Sequence, residues 1–97
     1  MIPFIAINLD KPRRLRYGMG ASIEFEQLSG MKMTAIGDDE MSMQTVATLL
    51  YCGLKHEDKD LSLEKVIEIV DDHADSVTDV ITKITEAINA AYQSKNA

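Results

Sequence analysis

The fold of this chain is decided in one stretch, Arg13-Arg14-Leu15-Arg16-Tyr17-Gly18-Met19-Gly20-Ala21-Ser22-Ile23-Glu24-Phe25-Glu26-Gln27-Leu28. Its first half alternates Leu15 and Tyr17 with polar or small residues, the period of two that a half-buried strand shows. Gly18 and Gly20 follow, where a residue without Cβ lets the backbone turn without a steric penalty. Beyond them the apolar residues approach helical spacing, at Met19, Ile23, Phe25 and Leu28. The stretch predicts a strand that runs directly into an amphipathic helix.

A second strand is predicted before this stretch, from Phe4 to Leu9, with alternate apolar residues on one face. Asp10-Lys11-Pro12 is typical of a turn, because proline fixes φ for the bend. The strand from Arg13 to Tyr17 then returns, and its arginines are expected at strand edges, where charge discourages edge-to-edge pairing. Residues 3–17 are therefore predicted to form a β-hairpin, which must pack on helices to be stable.

The segment 18–92 is predicted to be helical. Its first helix covers Met19 to Leu28 and ends at Ser29-Gly30, since glycine is favoured just after a helix. Residues 32–36 fit either a short strand or a loop, and Gly37-Asp38-Asp39 is typical of a turn. Residues 93–97 are read as a polar tail, with frayed structure expected at a chain end.

The second helix is predicted from Ser42 to Cys52, with Asp39 or Ser42 as its N-cap and Gly53 as its end. Apolar residues at i, i+3, i+4 and i+7 give it a stripe facing a core. That stripe consists of Met43, Val46, Ala47, Leu50 and Leu54.

Two more helices are predicted to begin at serine N-caps. Ser62 caps the third, which should break near Asp71-Asp72-His73, because acidic residues at a helix C-terminus oppose the dipole. Ser76-Val77-Thr78-Asp79 has the pattern of a capping box and starts the fourth. The third stripe contains Leu63, Val66, Ile67 and Val70. The fourth contains Val77, Val80, Ile81, Ile84, Ala87, Ile88 and Ala91, and we expect it to pack on the second and third helices.

These elements predict a mainly α (α+β) protein, an N-terminal β-hairpin followed by about four amphipathic helices. The 97 residues suffice for one domain, spanning 1–97. The net charge of −6 argues against general nucleic-acid binding, which needs clustered Lys and Arg. Basic residues gather at positions 11–16 and acidic residues between Glu57 and Asp79. Two interpretations remain open: solvated faces, or poles that attract neighbouring copies of the chain.

Cellular context is indicated by what the sequence lacks. The single cysteine, Cys52, leaves no internal disulfide and lies in an apolar run, as a buried structural thiol would. The N-terminus has no basic flank and an early Asp10, which is not the pattern of a signal peptide. No run approaches the ~18 apolar residues of a transmembrane helix. We expect a cytoplasmic protein without membrane association.

Three chemical motifs are considered and rejected. Asp58, Asp60, Ser62 and Glu64 resemble the start of an EF-hand loop, but its glycine and its bidentate carboxylate are replaced by apolar residues. Ser76 resembles the attachment serine of acyl carrier proteins, yet only one helix follows it. The Gly-x-Gly at 18–20 lacks the third glycine of a dinucleotide fingerprint.

No catalytic constellation stands out, so no nucleophile, general base, metal site or cofactor is predicted. His56 and His73 are far apart in the sequence and are read as surface residues. Methionine is flexible and polarisable, and suits surfaces that accept varied apolar partners. A cluster of methionines near the first helix either fills the core or forms a partner surface, and the residues assigned to that surface are Met31, Met33, Met41 and Met43.

The central stretch resembles the signature of tail assembly chaperones of long-tailed bacteriophages and gene-transfer particles. In that family a β-hairpin carries a Leu-Arg-aromatic/aliphatic-Gly-x-Gly-Ala turn into an acidic helix with Glu-x-Glu. The match covers residues 13–30, whereas the Met-rich segment 31–43 and an extended Asp/Glu segment depart from the family. The matching residues are Leu15, Arg16, Tyr17, Gly18, Gly20, Ala21, Glu24 and Glu26.

The resemblance implies a non-enzymatic role in virion assembly. Such proteins bind the tape-measure protein, keep it soluble, help tail-tube subunits polymerise around it, and are absent from the finished particle. Self-association through the methionine cluster is a further expectation. The alternative is a phage structural subunit, a head–tail joining or tail component that stays in the particle, although tube subunits are usually β-rich.

Overall fold

The computed structural model describes residues 1–36 and 41–92. In these ranges a two-stranded antiparallel hairpin is followed by four α-helices, so the fold is mainly α with a small β component, as predicted. The predicted turn at Gly37-Asp38-Asp39, with Asp39 as one of the two N-cap assignments, and the polar tail at 93–97 lie outside the described residues.

The hairpin is shorter than predicted. Strand β1 covers Ile5–Asn8 and strand β2 covers Pro12–Leu15. Ile5 lies opposite Leu15. Leu15 is buried in the core, in agreement with the predicted alternation of apolar and polar residues along this strand. Strand β2 ends at Leu15 because the next backbone amide, that of Arg16, turns away and donates to the carbonyl oxygen of Gly53 at 3.1 Å.

Arg13 is buried, with 5% of its surface exposed, so its expected place at a strand edge was wrong. It shares the inward face of β2 with Leu15. Two carboxylates compensate its charge, because its Nε lies 2.8 Å from Asp10 Oδ1 and its Nη1 lies 3.6 Å from Asp58 Oδ2. A buried guanidinium is tolerated only with such partners.

Helix α1 covers Met19–Ser29, and Gly30 ends it in the left-handed conformation with φ of 75°. Its amide donates to the Glu26 carbonyl at 2.9 Å, which confirms the predicted stop. Gly18 precedes the helix with φ of −75°, a backbone conformation open to any residue. The turn into α1 therefore does not use the conformational freedom of this glycine, and that part of the prediction was wrong.

The buried side of α1 differs from the predicted one. Of the four apolar residues assigned to it, Phe25 is buried, whereas Met19, Ile23 and Leu28 are exposed. Ser22 is buried in their place, and its hydroxyl donates to the Gly18 carbonyl at 2.9 Å. After α1, Met33–Ala35 form a 3-10 turn in place of the predicted strand or loop, with Met33 buried.

Helix α2 covers Met43–Leu54 and is the central element, in contact with α1, β2, α3 and a fourth helix. Ser42 Oγ accepts from the Thr45 amide at 3.1 Å, as predicted for an N-cap. Gly53 does not end this helix. It lies inside the last turn, where a Cβ would come within 2.8 Å of the Tyr17 ring, so the prediction confused a packing glycine with a stop.

Helix α3 covers Leu63–His73, beginning at the predicted cap Ser62, whose Oγ accepts from the Lys65 amide at 3.1 Å. Val66 and Ile69 are buried, but Ile67, assigned to the buried stripe, is 43% exposed. The helix ends at His73, so the predicted break at this point is present.

Helix α4 covers Val77–Tyr92, and Ser76 Oγ accepts from the Asp79 amide at 3.0 Å. Val80, Ile84 and Ala87 are buried. The helix packs on both strands of the hairpin and on α2. The predicted packing on α2 is therefore present, whereas α3 is not among the elements that α4 mainly contacts. A groove opens where α3 and α4 diverge.

Candidate functional site

An apolar groove of about 420 Å³ lies between α2, α3 and the first turn of α4, and it is half open to solvent. Its volume is within the ~300–1,000 Å³ of cavities that hold ligands. Among the lining residues only Gln44 and Asp71 are polar. The groove is lined by Met43, Gln44, Val46, Ala47, Leu50, Leu63, Val66, Ile67, Val70, Asp71, Val77 and Val80.

Each of the three helices that line this groove begins at a serine cap. The helical period then decides which of their side chains share a face. The floor is made of side chains with 0–1% exposure, Leu50, Val66 and Val80. The rim is made of side chains that remain 43–57% exposed, Met43, Ile67 and Val77. All six residues were predicted to belong to apolar stripes that face the core. Periodicity alone does not distinguish a stripe that packs against another helix from one that stays exposed to solvent.

The two walls of the groove differ in charge. Residues 41–54, which include all of α2, contain no Asp, Glu, Lys or Arg. The opposite wall and its continuation into α4 carry six carboxylates against one lysine, Lys65, which lies 3.4 Å from Glu68. Those carboxylates are Glu64, Glu68, Asp71, Asp72, Asp75 and Asp79.

A second exposed apolar surface lies on α1, which we call the α1 face and define by Met19 and Ile23, one turn apart and 79% and 50% exposed. Leu28, on another side of the helix, and Met31, just after its end, are 57% and 39% exposed. Leu28 and Met31 also line a small, mainly polar pocket beside Thr45 and Thr48 of α2. The α1 face is convex helix surface, whereas the groove is concave and has a buried floor.

The methionines assigned to a partner surface are divided by the fold. Met33 is buried at 2% exposure and belongs to the core, and Met41 is half-buried. Met43 stands on the rim of the groove, while Met31 lines the small polar pocket beside α2. The four residues thus do not form one patch, and Met33 offers no surface to a partner.

The signature residues at the end of β2 attach it to α2. Leu15 and Tyr17 are buried, and the Tyr17 hydroxyl donates to the Leu49 carbonyl at 2.7 Å. The Arg16 amide bonds to Gly53, as described above, and its half-buried side chain has an Nε without a hydrogen-bond partner among residues 1–36 and 41–92. Burial raises the pKa of the Tyr17 phenol well above its ordinary value, so the hydroxyl stays protonated and able to donate.

The signature residues of α1 also hold elements together. Glu24 accepts a hydrogen bond from Lys55 Nζ at 2.8 Å, and Glu26 Oε2 accepts from the Met33 amide at 2.8 Å. Ala21 is half-buried against the core, and Gly20 has open space around it. The Glu-x-Glu pattern therefore connects α1 to α2 and to the 3-10 turn.

Two of the four basic residues at positions 11–16 are compensated within the chain. Arg13 is paired with Asp10 and Asp58, and Arg14 Nε donates to Glu57 at 2.6 Å. These contacts lower the attraction that a basic pole would exert on the acidic region of another copy. Both interpretations of the charge pattern, solvated faces or poles that attract neighbouring copies, stay predictions.

The residues of the rejected motifs have structural partners. Asp58 approaches Arg13 and accepts from the Asp60 amide at 3.2 Å, and Ser62 and Ser76 are N-caps. His56 Nε2 lies 2.8 Å from the Arg14 carbonyl oxygen. Within the described ranges, no three His, Cys, Asp or Glu side chains form a group that could hold a metal ion.

Cys52 is 2% exposed, and burial raises the pKa of its thiol to about 12. At neutral pH the thiol is protonated, and a protonated thiol is a poor nucleophile. The groove likewise has only one titratable side chain in its lining, Asp71. The chemistry that this arrangement offers is apolar contact beside negative charge.

No protein-family model, curated protein or solved structure matches this chain. In the part of the chain that the structure covers, none of the helices has the length and apolar character needed to cross a membrane.

Proposed function

We propose that this protein is a tail assembly chaperone of a long-tailed bacteriophage or related particle, acting without enzymatic chemistry. It binds the tape-measure protein in the cytoplasm of the host, keeps it soluble and promotes assembly of the tail tube around it. The observation that carries this proposal is the half-open apolar groove between α2, α3 and α4. The resemblance of residues 13–30 to the chaperone signature supplies the identity of the partner.

The groove suits a helical partner. A tape-measure protein is long, helical and apolar, and amphipathic helices bind proteins by laying their apolar face into such grooves. Exposed rim side chains such as Met43 and Ile67 would be covered in the complex. Methionine can adopt many shapes at low energetic cost, which suits a chaperone that must hold successive helical segments of one long partner.

The signature residues support the proposal indirectly. Their contacts join β2 and α1 to α2, and α2 supplies one wall of the groove. In this interpretation the family signature maintains the scaffold, while the surface that touches the partner varies with that partner. The departure from the family in segment 31–43 agrees with this, since Met43 stands on the rim.

Co-expression tests the proposal. A phage tape-measure protein co-expressed with this chain should move from the insoluble to the soluble fraction and co-purify with it. An unrelated acidic protein of similar size is the control and should leave the tape-measure protein insoluble. The same purification shows whether tail-tube protein joins the complex.

Mass spectrometry of purified particles distinguishes the alternative. A chaperone should be present during assembly and missing from finished particles. Recovery of this chain in stoichiometric amounts from particles would instead identify a structural subunit, and the proposed function would be wrong.

A further inference from the structure

We infer that the groove binds a single amphipathic helix that carries Lys or Arg along one flank, with this flank against α3. The inference rests on the proposed function for the natural partner, and it adds the chemistry and orientation of the bound segment. It uses the difference between the two walls of the groove, one uncharged and one acidic.

The acidic wall begins directly beside the rim. Glu64 stands three positions before Ile67 and Asp71 four positions after it, so both share its side of α3. Glu68 lies one turn from each of them. Asp71 itself lines the groove, and all three carboxylates are exposed. A helix whose apolar side chains reach Val66 and Leu50 would therefore bring one flank within reach of these groups.

The opposite flank of such a helix would meet α2, where the nearest polar lining residue is the neutral Gln44. Among the described residues that line the α2 side, basic residues on that flank would meet no carboxylate, whereas basic residues toward α3 would be attracted. Complementary charge at the edge of an apolar contact contributes mainly to specificity and association rate. If the bound helix were reversed in the groove, its basic flank would face α2 instead of α3. The acidic wall therefore favours one direction of the bound helix.

A second copy of this chain fits the groove less well. The exposed apolar residues of α1 are accompanied by Glu24 and Glu26 and by no Lys or Arg within Met19–Ser29. Helix α2 is uncharged, and α4 carries Lys83 as its one basic residue. None of these helices has the basic flank that the acidic wall calls for, so the partner is a different chain.

Two designed helical peptides of about 18 residues, or five turns, test the inference against the full-length protein. Both have the same leucine face, and one has Lys and the other Glu along one flank. The Lys peptide should bind at least about tenfold more tightly at low ionic strength. The difference should shrink as salt rises, because exposed charges are screened. Equal binding of the two peptides would overturn the inference.

Matched variants locate the site. Ile67→Gln removes an apolar rim side chain that is 43% exposed, and Ile23→Gln makes the same change on the α1 face at 50% exposure. Ile67→Gln should weaken binding of the Lys peptide about tenfold, and Ile23→Gln should leave it unchanged. Both positions are exposed, so both variants should keep the unfolding midpoint of the wild type. Loss of binding in Ile23→Gln alone would place the site on α1 and refute the inference.

The charge is tested by the double variant Glu64→Gln with Asp71→Asn. Its preference for the Lys peptide should fall severalfold, whereas Asp60→Asn with Glu86→Gln, two exposed carboxylates outside the groove lining, should keep the full preference for Lys. If both double variants keep the preference, α3 does not face the basic flank.

The failure of this inference differs from failure of the proposed function. If the tape-measure protein binds wild type and Ile67→Gln equally but not Ile23→Gln, the function stands and the groove assignment is wrong. If wild type captures the Lys peptide through Ile67 but no tape-measure protein, the groove assignment stands and the proposed function is wrong.

Discussion

The ring of Tyr17 lies so close to the backbone of Gly53 that a Cβ on the glycine would be 2.8 Å from both Cζ and the hydroxyl oxygen of the tyrosine. The same Cβ would be 2.9 Å from Leu15 Cδ2. Both neighbours are completely buried and have no room to move. The hairpin and α2 can approach to this distance only because residue 53 has no side chain.

We predict that Gly53→Ala destabilises the protein by about 1–3 kcal/mol, the range for overpacking a core. The gain of up to ~1 kcal/mol that alanine brings to a helix interior offsets part of the packing strain and is included in this net range. Gly20→Ala is the control, since nothing lies within 4 Å of its Cβ position in α1. It should be neutral or stabilising. Denaturant unfolding followed by circular dichroism measures both, and equal effects of the two variants would contradict the prediction.

We predict that Ile84→Ala lowers stability by about 2–4 kcal/mol, because a fully buried isoleucine leaves a cavity when truncated. In a protein of this size the melting temperature should fall by about 10 °C or more. Asn89→Ala, at an exposed position of the same helix, should change stability by less than about 0.5 kcal/mol. A melting temperature for Ile84→Ala close to that of Asn89→Ala would show that the α4 stripe is not part of the core.

The ion pair between Asp10 and Arg13 should make stability depend on pH. The hydrogen bond from Arg13 lowers the pKa of the Asp10 carboxyl below its ordinary value of 3.8. A carboxyl with a lowered pKa in the folded state stabilises the fold above the unfolded pKa, and this contribution is lost as pH falls through the folded pKa.

Asp10→Asn should therefore be less stable than wild type near neutral pH, and the difference should shrink below about pH 4. Asp60→Asn, at an exposed position of the same region, serves as the control. Urea unfolding at a series of pH values gives the result. A difference that stays constant from neutral to acidic pH would mean that the Asp10 carboxylate does not contribute through its charge.

The reaction rate of the Cys52 thiol can measure how often the core opens. This thiol is buried and its pKa is raised to about 12, so a thiol reagent at mildly alkaline pH should react only when the core opens. The variant Asn89→Cys contains two thiols and should show one fast and one slow reaction. Denaturant should abolish the difference. Two fast reactions without denaturant would show that Cys52 is accessible in the folded protein.

Helix starts could be predicted from the sequence because capping is local chemistry. Ser42, Ser62 and Ser76 each accept a hydrogen bond from an amide three residues ahead, and nothing distant is needed to recognise that pattern. The same is true of Gly30, whose left-handed conformation directly follows α1. Helix boundaries that depend on residues near in the sequence could therefore be predicted.

Features that depend on residues distant in the sequence could not be predicted from the sequence. Gly53 has the appearance of a helix stop, and only the position of Tyr17, 36 residues earlier, shows that it is a point of close packing. From the sequence, Arg13 is expected at the surface, and only the fold shows that Asp58 lies close enough to compensate its charge in a buried position. The groove could not be predicted, because the stripes of α3 and α4 are equally apolar whether or not the two helices meet.

The attachment of the hairpin to α2 has a consequence for synthesis of the chain. Tyr17, Arg16 and Arg14 are fixed by Leu49, Gly53 and Glu57, respectively. A two-stranded hairpin is marginal alone, so the first 17 residues have nothing to fold against until residue 57 has left the ribosome. The hairpin of the nascent chain therefore stays unfolded until α2 and residue 57 have emerged, and translation that terminates before that point produces a fragment in which the hairpin has no partner.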